Sequence, residues 1–178
     1  YYKKKDLLIF KNNIKVYDKT NNIIIKSNKL NYRKDKNLIF SEGPTDFKID
    51  DKYNITSDNI YYDLALKTIY GNKETIVEDK ERNIFKLKEK YNIDLDKEII
   101  KSKRSLILDK DDNTYIFDDL IIDLKKNQIA GKEIKVEFKD SYFGNNDNDP
   151  VLKGRSSYSN EKELKVYKAV FSTCDTEN

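Results

Sequence analysis

Apolar and polar residues alternate along almost the whole chain, and this period of two restricts the possible folds more than any other feature. It is visible at Ile23 and Ile25 and again at Phe47 and Ile49, and β-branched and aromatic residues dominate the apolar positions. Successive side chains of a β-strand point to opposite faces of the sheet, so such alternation indicates strands that are buried on one face. The chain is therefore predicted to be all-β.

Clusters of Asn, Asp, Lys and Gly separate the alternating runs at a spacing of about ten residues, as at 18–22 and 33–37. This spacing predicts hairpins in a meander, a sandwich or a solenoid. A helix is conceivable only over 79–102. There Phe85 and Leu87 fit alternation better than a helical stripe, so strands are predicted in this segment as well.

A repeated hairpin pattern runs through the chain. Residues 59–71 match residues 119–131 with the same offset at every position, and 29–43 is a looser copy. One hairpin cannot bury its apolar face alone, so the copies are predicted to stack around a continuous core. Glycines that close the copies, such as Gly71 and Gly131, are predicted to mark bends or bulges of the strands.

Several kinds of chemistry are excluded by composition. The chain has no histidine and a single cysteine, Cys174. This excludes a His-based catalytic triad and a Cys/His metal site. The 109–113 segment has the carboxylate spacing of a calcium loop, but Thr114 replaces the required glycine, so a hydrated turn is predicted there. We accordingly expect no enzymatic activity, no metal and no cofactor.

Charge and hydropathy argue against two further classes of protein, those that bind nucleic acid and those that cross a membrane with a helix. The 35 basic and 32 acidic residues are mixed along the chain and give a net charge of only +3, so a nucleic-acid partner is not expected. No apolar run approaches the roughly 20 residues of a membrane-spanning helix. The sequence begins at Tyr1 without a methionine, and we expect it to be an internal fragment.

Two segments resemble a known family. The run Asn59-Ile60-Tyr61-Tyr62-Asp63, followed by Ile69-Tyr70-Gly71, resembles the OstA-like repeat of lipopolysaccharide-transport proteins. The stretch from Leu164 to Cys174 resembles the end of the periplasmic domain in the LptD family of outer-membrane lipopolysaccharide-assembly proteins. The repeat resemblance covers roughly residues 7–140.

This resemblance implies an open, V-shaped β-jellyroll of two facing antiparallel sheets. Residues 1–178 are expected to form a single domain, with 165–178 leading to a C-terminal outer-membrane β-barrel that is not in this chain. The expected location is the periplasmic face of the outer membrane of a Gram-negative bacterium.

The resemblance also implies a function. An apolar groove between the sheets is expected to shield the lipid A acyl chains of lipopolysaccharide and to pass the lipid from a periplasmic bridge to the barrel. Exposing an acyl chain to water costs about 0.8 kcal/mol per methylene, which such a groove removes without catalysis. The residues expected on its inner face are Leu30, Tyr32, Leu38, Phe40, Ile60, Tyr62, Leu120, Ile122, Val136 and Phe138.

The resemblance further implies partners at both ends. An LptA-like periplasmic bridge protein is expected to pair with an edge strand made of Leu7, Leu8, Ile9 and Phe10. The other end is expected to face the chain's own barrel with its LptE lipoprotein. Cys174 is expected to form a disulfide to a cysteine of that barrel, whereas the residues alone also leave a buried free thiol open.

Three alternatives remain open from the sequence. The chain could be a free-standing bridge protein of the LptA type. It could bind or cleave a glycan, which requires a carboxylate pair in a polar cleft. It could be a structural β-domain or adhesin with a fully packed core. The interior distinguishes the last two alternatives from lipid transport, because only lipid transport requires an apolar groove that opens to solvent.

Overall fold

A computed structural model describes residues 2–4, 6–139, 143, 150–160 and 162–173. The described residues form β-strands and one 3-10 turn (Lys34–Lys36), and no α-helix occurs among them. In chain order the strands are β1 (Tyr2–Lys4), β2 (Leu7–Asp18), β3 (Ile23–Arg33), β4 (Leu38–Ser41), β5 (Pro44–Ile49), β6 (Tyr53–Asp58), β7 (Tyr61–Asp63), β8 (Thr68–Gly71), β9 (Thr75–Asp79), β10 (Ile84–Leu87), β11 (Tyr91–Asp94), β12 (Ile99–Leu108), β13 (Thr114–Asp123), β14 (Gln128–Glu137), β15 (Val151–Ser159), β16 (Leu164–Tyr167) and β17 (Val170–Ser172). The all-β prediction is confirmed, including strands rather than a helix over 79–102.

All strands belong to one continuous antiparallel sheet, which folds over into two facing sheets, I and II. The long strands β2, β3 and β12–β15 contribute to both sheets. In β3, for example, residues 23–27 pair with β5 whereas residues 30–33 pair with β4. Sheet I contains β5, β6, β9, β10 and β17, and sheet II contains β1, β4, β7, β8, β11 and β16, each with its part of the long strands. The arrangement agrees with the predicted open β-jellyroll.

The chain passes between the two sheets along one edge, which we call the spine. Here the alternation of buried and exposed residues shifts by one position. In β12 both Ser102 and Ser105 are buried, and in β13 both Phe117 and Leu120 are buried. Between the two serines, Arg104 adopts a left-handed conformation with φ of 46°. This bend turns the inner face of sheet I towards the inner face of sheet II.

The hairpin tips form the opposite edge, which we call the mouth. Asp109 shows why acidic clusters lie there: its carboxylate accepts hydrogen bonds from the backbone N–H groups of Asp111 and Asn113, both at 2.9 Å. Asp79 binds the backbone of Glu81 and Asn83 in the same way. Aspartate favours such turns because its side chain replaces a backbone acceptor. The prediction of a turn at 109–113 is confirmed.

Sheet II also contains a copy of the repeat that the sequence analysis missed. Asp94-Leu95 occupies the same place in its hairpin as Asp63-Leu64 and Asp123-Leu124. The three leucines are partly buried against the core. Each donates its backbone N–H to a carbonyl of the preceding tip: Leu64 to Asn37, Leu95 to Lys67 and Leu124 to Glu98. A row of leucines therefore lines the sheet II side of the mouth.

The core lies between the two sheets. Phe47 of sheet I and Tyr62 of sheet II meet edge to face, with ring centroids 6.1 Å apart and planes at 88°. The repeat glycines have a packing role that was not predicted, because they make room for aromatic rings of the neighbouring strand. A Cβ on Gly71 would lie 2.6 Å from the hydroxyl of Tyr91, and one on Gly131 would overlap the ring of Phe117.

Candidate functional site

The candidate site is a cleft that follows the mouth of the fold towards its C-terminal end. It has a volume of about 700 Å³ and lies between the β9–β10 tip of sheet I and the tips after β13 and β15 of sheet II. Its apolar lining consists mainly of Phe85, Ile122, Leu124 and Ile129. Its volume falls within the range of about 300–1,000 Å³ that is usual for small-molecule sites.

The cleft continues into a second depression of about 340 Å³ nearer to the C-terminal edge. The two share Phe85 and Ile129, and the second is also lined by Ile107, Phe117 and Leu164. The apolar surface therefore extends under several strands rather than ending in one pocket. Charged residues of both signs stand at the rim, among them Lys80, Glu81, Asp123 and Lys125.

The strand pattern explains this lining. Phe85 of β10 pairs with Ile107 of β12, so both side chains point into the space between the sheets. On the opposite side, Ile122 of β13 pairs with Ile129 of β14. Both walls of the cleft are therefore made of inward-facing strand residues, whereas the charged residues belong to the hairpin tips.

Towards the N-terminal end the mouth is closed by contacts between the sheets. The Tyr62 hydroxyl of sheet II donates a hydrogen bond to Asp18 Oδ2 at 2.7 Å and accepts one from Asn21 Nδ2 at 3.1 Å. Further along, Lys52 Nζ of sheet I lies 3.4 Å from Glu98 Oε1 of sheet II. Both links lie beside the β2–β3 and β5–β6 tips of sheet I. We call the part of the groove beside these two tips the closed half, and the part beside the β9–β10 and β12–β13 tips the open half.

The electrostatics of the closed half keep its phenol groups neutral. Burial raises the pKa of Tyr53 to about 12, and the nearby carboxylates of Glu98, Asp79 and Glu81 add to the effect. Burial and the hydrogen bond to Asp18 raise the pKa of Tyr62. Burial opposes ionisation of Asp18, but hydrogen bonds from Asn21 and Tyr62 outweigh it and lower the pKa of this carboxyl. At neutral pH a phenol therefore donates to a carboxylate across the mouth.

Most of the predicted groove residues face inward. Those buried in the core are Leu30, Ile60, Tyr62, Leu120, Ile122 and Val136. Tyr32 lies on the same face and is half-buried, since it pairs with Ile39, which itself pairs with Tyr62. Phe138 packs partly against the core and contacts the rings of Phe143 and Phe171. Of these residues only Ile122 lines the large cleft, and contact of any of them with lipid stays a prediction.

Leu38 and Phe40 do not face the groove, so their predicted position is wrong. Ile39 pairs with the buried Tyr62, which directs its two neighbours to the outer face. There Phe40 stacks on Tyr61 with ring centroids 5.9 Å apart. The cause is the 3-10 turn before β4, which ends at Asn37 in a left-handed conformation with φ of 48°. This turn determines which residues of β4 face inward.

The predicted edge strand is covered in part. Leu7, Leu8 and Ile9 pair with β3 on one side and with β1 on the other, whereas Phe10 pairs with β3 at Leu30. Residues 7–9 therefore do not offer a free strand edge, because β1 occupies it. Docking of a bridge protein at this end stays a prediction. Cys174, the predicted disulfide residue, lies outside the described residues.

The residues that form most of the cleft were missed by the sequence analysis. Phe85, Phe117, Leu124 and Ile129 were not assigned to the groove. The signal that could have found Leu124 is the Asp-Leu pair shared by three tips. Phe117 lies beyond the one-residue shift at the spine, so its inward direction does not follow from the alternation at Leu120. Phe85 alternates in step with the buried Leu87 and Ile93, so the pattern of its own segment could have placed it inside.

Comparison with known proteins adds no family assignment. No family model matches the chain, and no curated protein matches it. Within the part of the chain that the structure describes, no group of three or more His, Cys, Asp or Glu residues could hold a metal ion. Nor does any helix of that part have the length and hydropathy to cross a membrane.

Proposed function

We propose that this chain is a non-enzymatic lipid-carrying domain that shields the acyl chains of lipopolysaccharide between its two sheets. It receives the lipid from a periplasmic bridge protein and passes it to an outer-membrane barrel. The observation that carries the proposal is the cleft at the mouth, whose floor of Phe85, Ile122, Leu124 and Ile129 lies between two sheets and opens to solvent.

The chemistry of the cleft supports an amphiphile as its ligand. Each methylene that moves from water to the floor contributes about 0.8 kcal/mol, so even part of an acyl chain is held without a specific polar contact. A polar headgroup can remain in water at the rim, where three lysines stand among four carboxylates: Lys52, Lys80 and Lys125 beside Asp79, Glu81, Glu98 and Asp123. Sliding along such a surface breaks no strong bonds, as transport requires.

One observation favours a second candidate, a structural β-domain with a packed core. Inward residues are buried in both halves: Ile55 and Val77 are each 1% exposed, and on the floor of the cleft Phe85 and Ile122 are 4% and 2% exposed. If the open half closes in the same way, no lipid is held. The two candidates therefore differ in whether the floor of the cleft contacts a ligand.

Site-specific photocrosslinking distinguishes them. A photoreactive amino acid at Ile129 is expected to form an adduct with purified lipopolysaccharide, because Ile129 lies in the cleft. The matched control is Ile121, which lies on the outer face of the neighbouring strand and is 46% exposed. Adducts at neither position, or equally at both, in a protein that remains folded by circular dichroism would favour the structural β-domain.

A further inference from the structure

Lys52 and Glu98 stand on the border between two spaces that lie between the sheets. Both line the open cleft of about 700 Å³, and both also line a cavity of about 100 Å³ in the closed half. Tyr53 and Leu124 are shared in the same way. The ion pair therefore lies where the open part of the inter-sheet space meets its closed part.

The small cavity is apolar behind this pair. The residues that line it from both sheets include Ile49, Ile55, Val77, Ile93 and Ile100. At about 100 Å³ it is well below the usual size of a ligand site. Its walls are the same inward-facing strand rows that continue as the floor of the cleft. Widening the mouth at this point would join the two spaces into one longer groove.

The pair is suited to reversible opening. The Lys52 and Glu98 side chains are 51% and 24% exposed, and they join two hairpin tips that belong to different sheets. A partly exposed ion pair of this kind changes an equilibrium by only about two- to fivefold.

We propose that the cavity behind Lys52 and Glu98 is a second subsite for a hydrocarbon chain and that the ion pair is its gate. With the pair intact, an acyl chain is confined to the cleft between Phe85 and Ile129. When the pair separates, the β5–β6 and β11–β12 tips move apart and the chain extends between Ile55 and Ile100. This inference rests on the proposed function, because it assumes that the cleft holds an acyl chain.

The test uses the full chain and palmitic acid carrying a terminal diazirine as the probe. After irradiation, mass spectrometry gives the ratio of label on Ile55 and Ile100 to label on Phe85 and Ile129. Lys52→Gln and Glu98→Gln are each expected to raise this ratio about two- to fivefold. The two variants change the local charge in opposite directions, so an increase in both cannot come from attraction of the probe's carboxylate.

Two further variants complete the design. The charge-swapped double variant Lys52→Glu with Glu98→Lys is expected to restore the low ratio. Lys48→Gln is the matched control, because Lys48 pairs with Asp51 at 2.7 Å on the same hairpin and does not cross the mouth. Circular dichroism verifies that each variant is folded before labelling.

The outcomes separate the gate from the proposed function. If Phe85 and Ile129 take up no label in the unmodified chain, the proposed function is overturned. If they are labelled normally but neither gate variant changes the ratio, the cleft holds the chain and the gate is overturned. An equal rise in Lys48→Gln also overturns the gate, since any charge change on that hairpin would then be sufficient.

Discussion

The closed and open halves of the groove are built from the same kind of hairpin, yet only one of them leaves space between the sheets. In the middle of the fold, strands β4 to β11 are short and the chain breaks between the sheets, as between Ser41 and Pro44. Towards the C-terminus, β12, β13 and β14 each run continuously through both sheets for 10 residues. Breaks in the strands do not by themselves account for the difference, because β2 and β3 of the closed half also run continuously through both sheets, for 12 and 11 residues.

The difference shows that the type of residue on the inner face does not by itself set the width of the groove. Isoleucine and phenylalanine dominate the inner face of both halves. The closed half adds cross-mouth links from Asp18 and Lys52, which are possible only because the tips are already near each other. We therefore expect substitutions of equal chemistry to have unequal effects in the two halves.

The largest expected contrast concerns buried phenylalanines. Phe47→Ala in the closed half removes a ring from a packed core and leaves a cavity, so the free energy of unfolding should fall by about 3–5 kcal/mol. Phe85→Ala in the open half enlarges a cleft that water already reaches, so mainly the transfer free energy is lost, about 1.5–3 kcal/mol. Urea unfolding followed by circular dichroism measures both, and equal losses would contradict a difference in packing.

A smaller effect tests the packing of an aromatic ring over glycine in the open half. Gly131→Ala places a methyl group where the ring of Phe117 lies and should destabilise the fold by about 1–3 kcal/mol. Adding Phe117→Leu makes room for that methyl group and should recover part of the loss. Thermal unfolding of both variants is the measurement. If the second substitution only adds to the damage, the ring is not the obstacle.

The cross-mouth hydrogen bond should make the stability of the closed half depend on pH. The pKa of Asp18 is lower in the folded than in the unfolded chain, so its contribution is present above the unfolded value of about 3.9 and is lost as the pH falls through the folded value. Tyr62→Phe removes the donor and should cost about 1.5–3 kcal/mol at pH 7. The difference between the variant and the unmodified chain should shrink in acid, as measured by urea unfolding across the range. A cost that does not change with pH would exclude Asp18 as the partner.

The smallest expected effect on stability concerns the backbone conformation at one position that two hairpin turns share. Lys67 in the closed half and Asn127 in the open half both adopt a left-handed conformation, with φ of 47° and 49°. Asparagine tolerates this conformation better than lysine, so Lys67→Asn should raise the free energy of unfolding by about 0.5–1 kcal/mol. Lys67→Gln is the control, because it removes the ion pair with Asp96 without relieving the backbone. Equal melting temperatures for the two variants would contradict the expectation.

The sequence by itself determined the strands and the turns of this protein. Alternation is local, so the pattern at Phe85 and Leu87 was sufficient to assign a strand there, and Asp109 marks its turn through hydrogen bonds to residues close by in the chain. For the same reason alternating apolar residues of one run are buried together, as are Ile60 and Tyr62, or Leu120 and Ile122.

The tertiary structure alone decided which face some strands turn inward and how far apart the two sheets lie, because both depend on how one element is oriented relative to the next. Leu38 and Phe40 alternate properly yet face outward, because the turn at Asn37 sets their parity. Phe117 joins the cleft because the parity shifts again at the spine. The Lys52–Glu98 pair links residues 46 positions apart, and nothing near either residue announces the other. The distance between the two sheets, and with it the existence of a cleft, results from many strand pairings acting together, which no local pattern records.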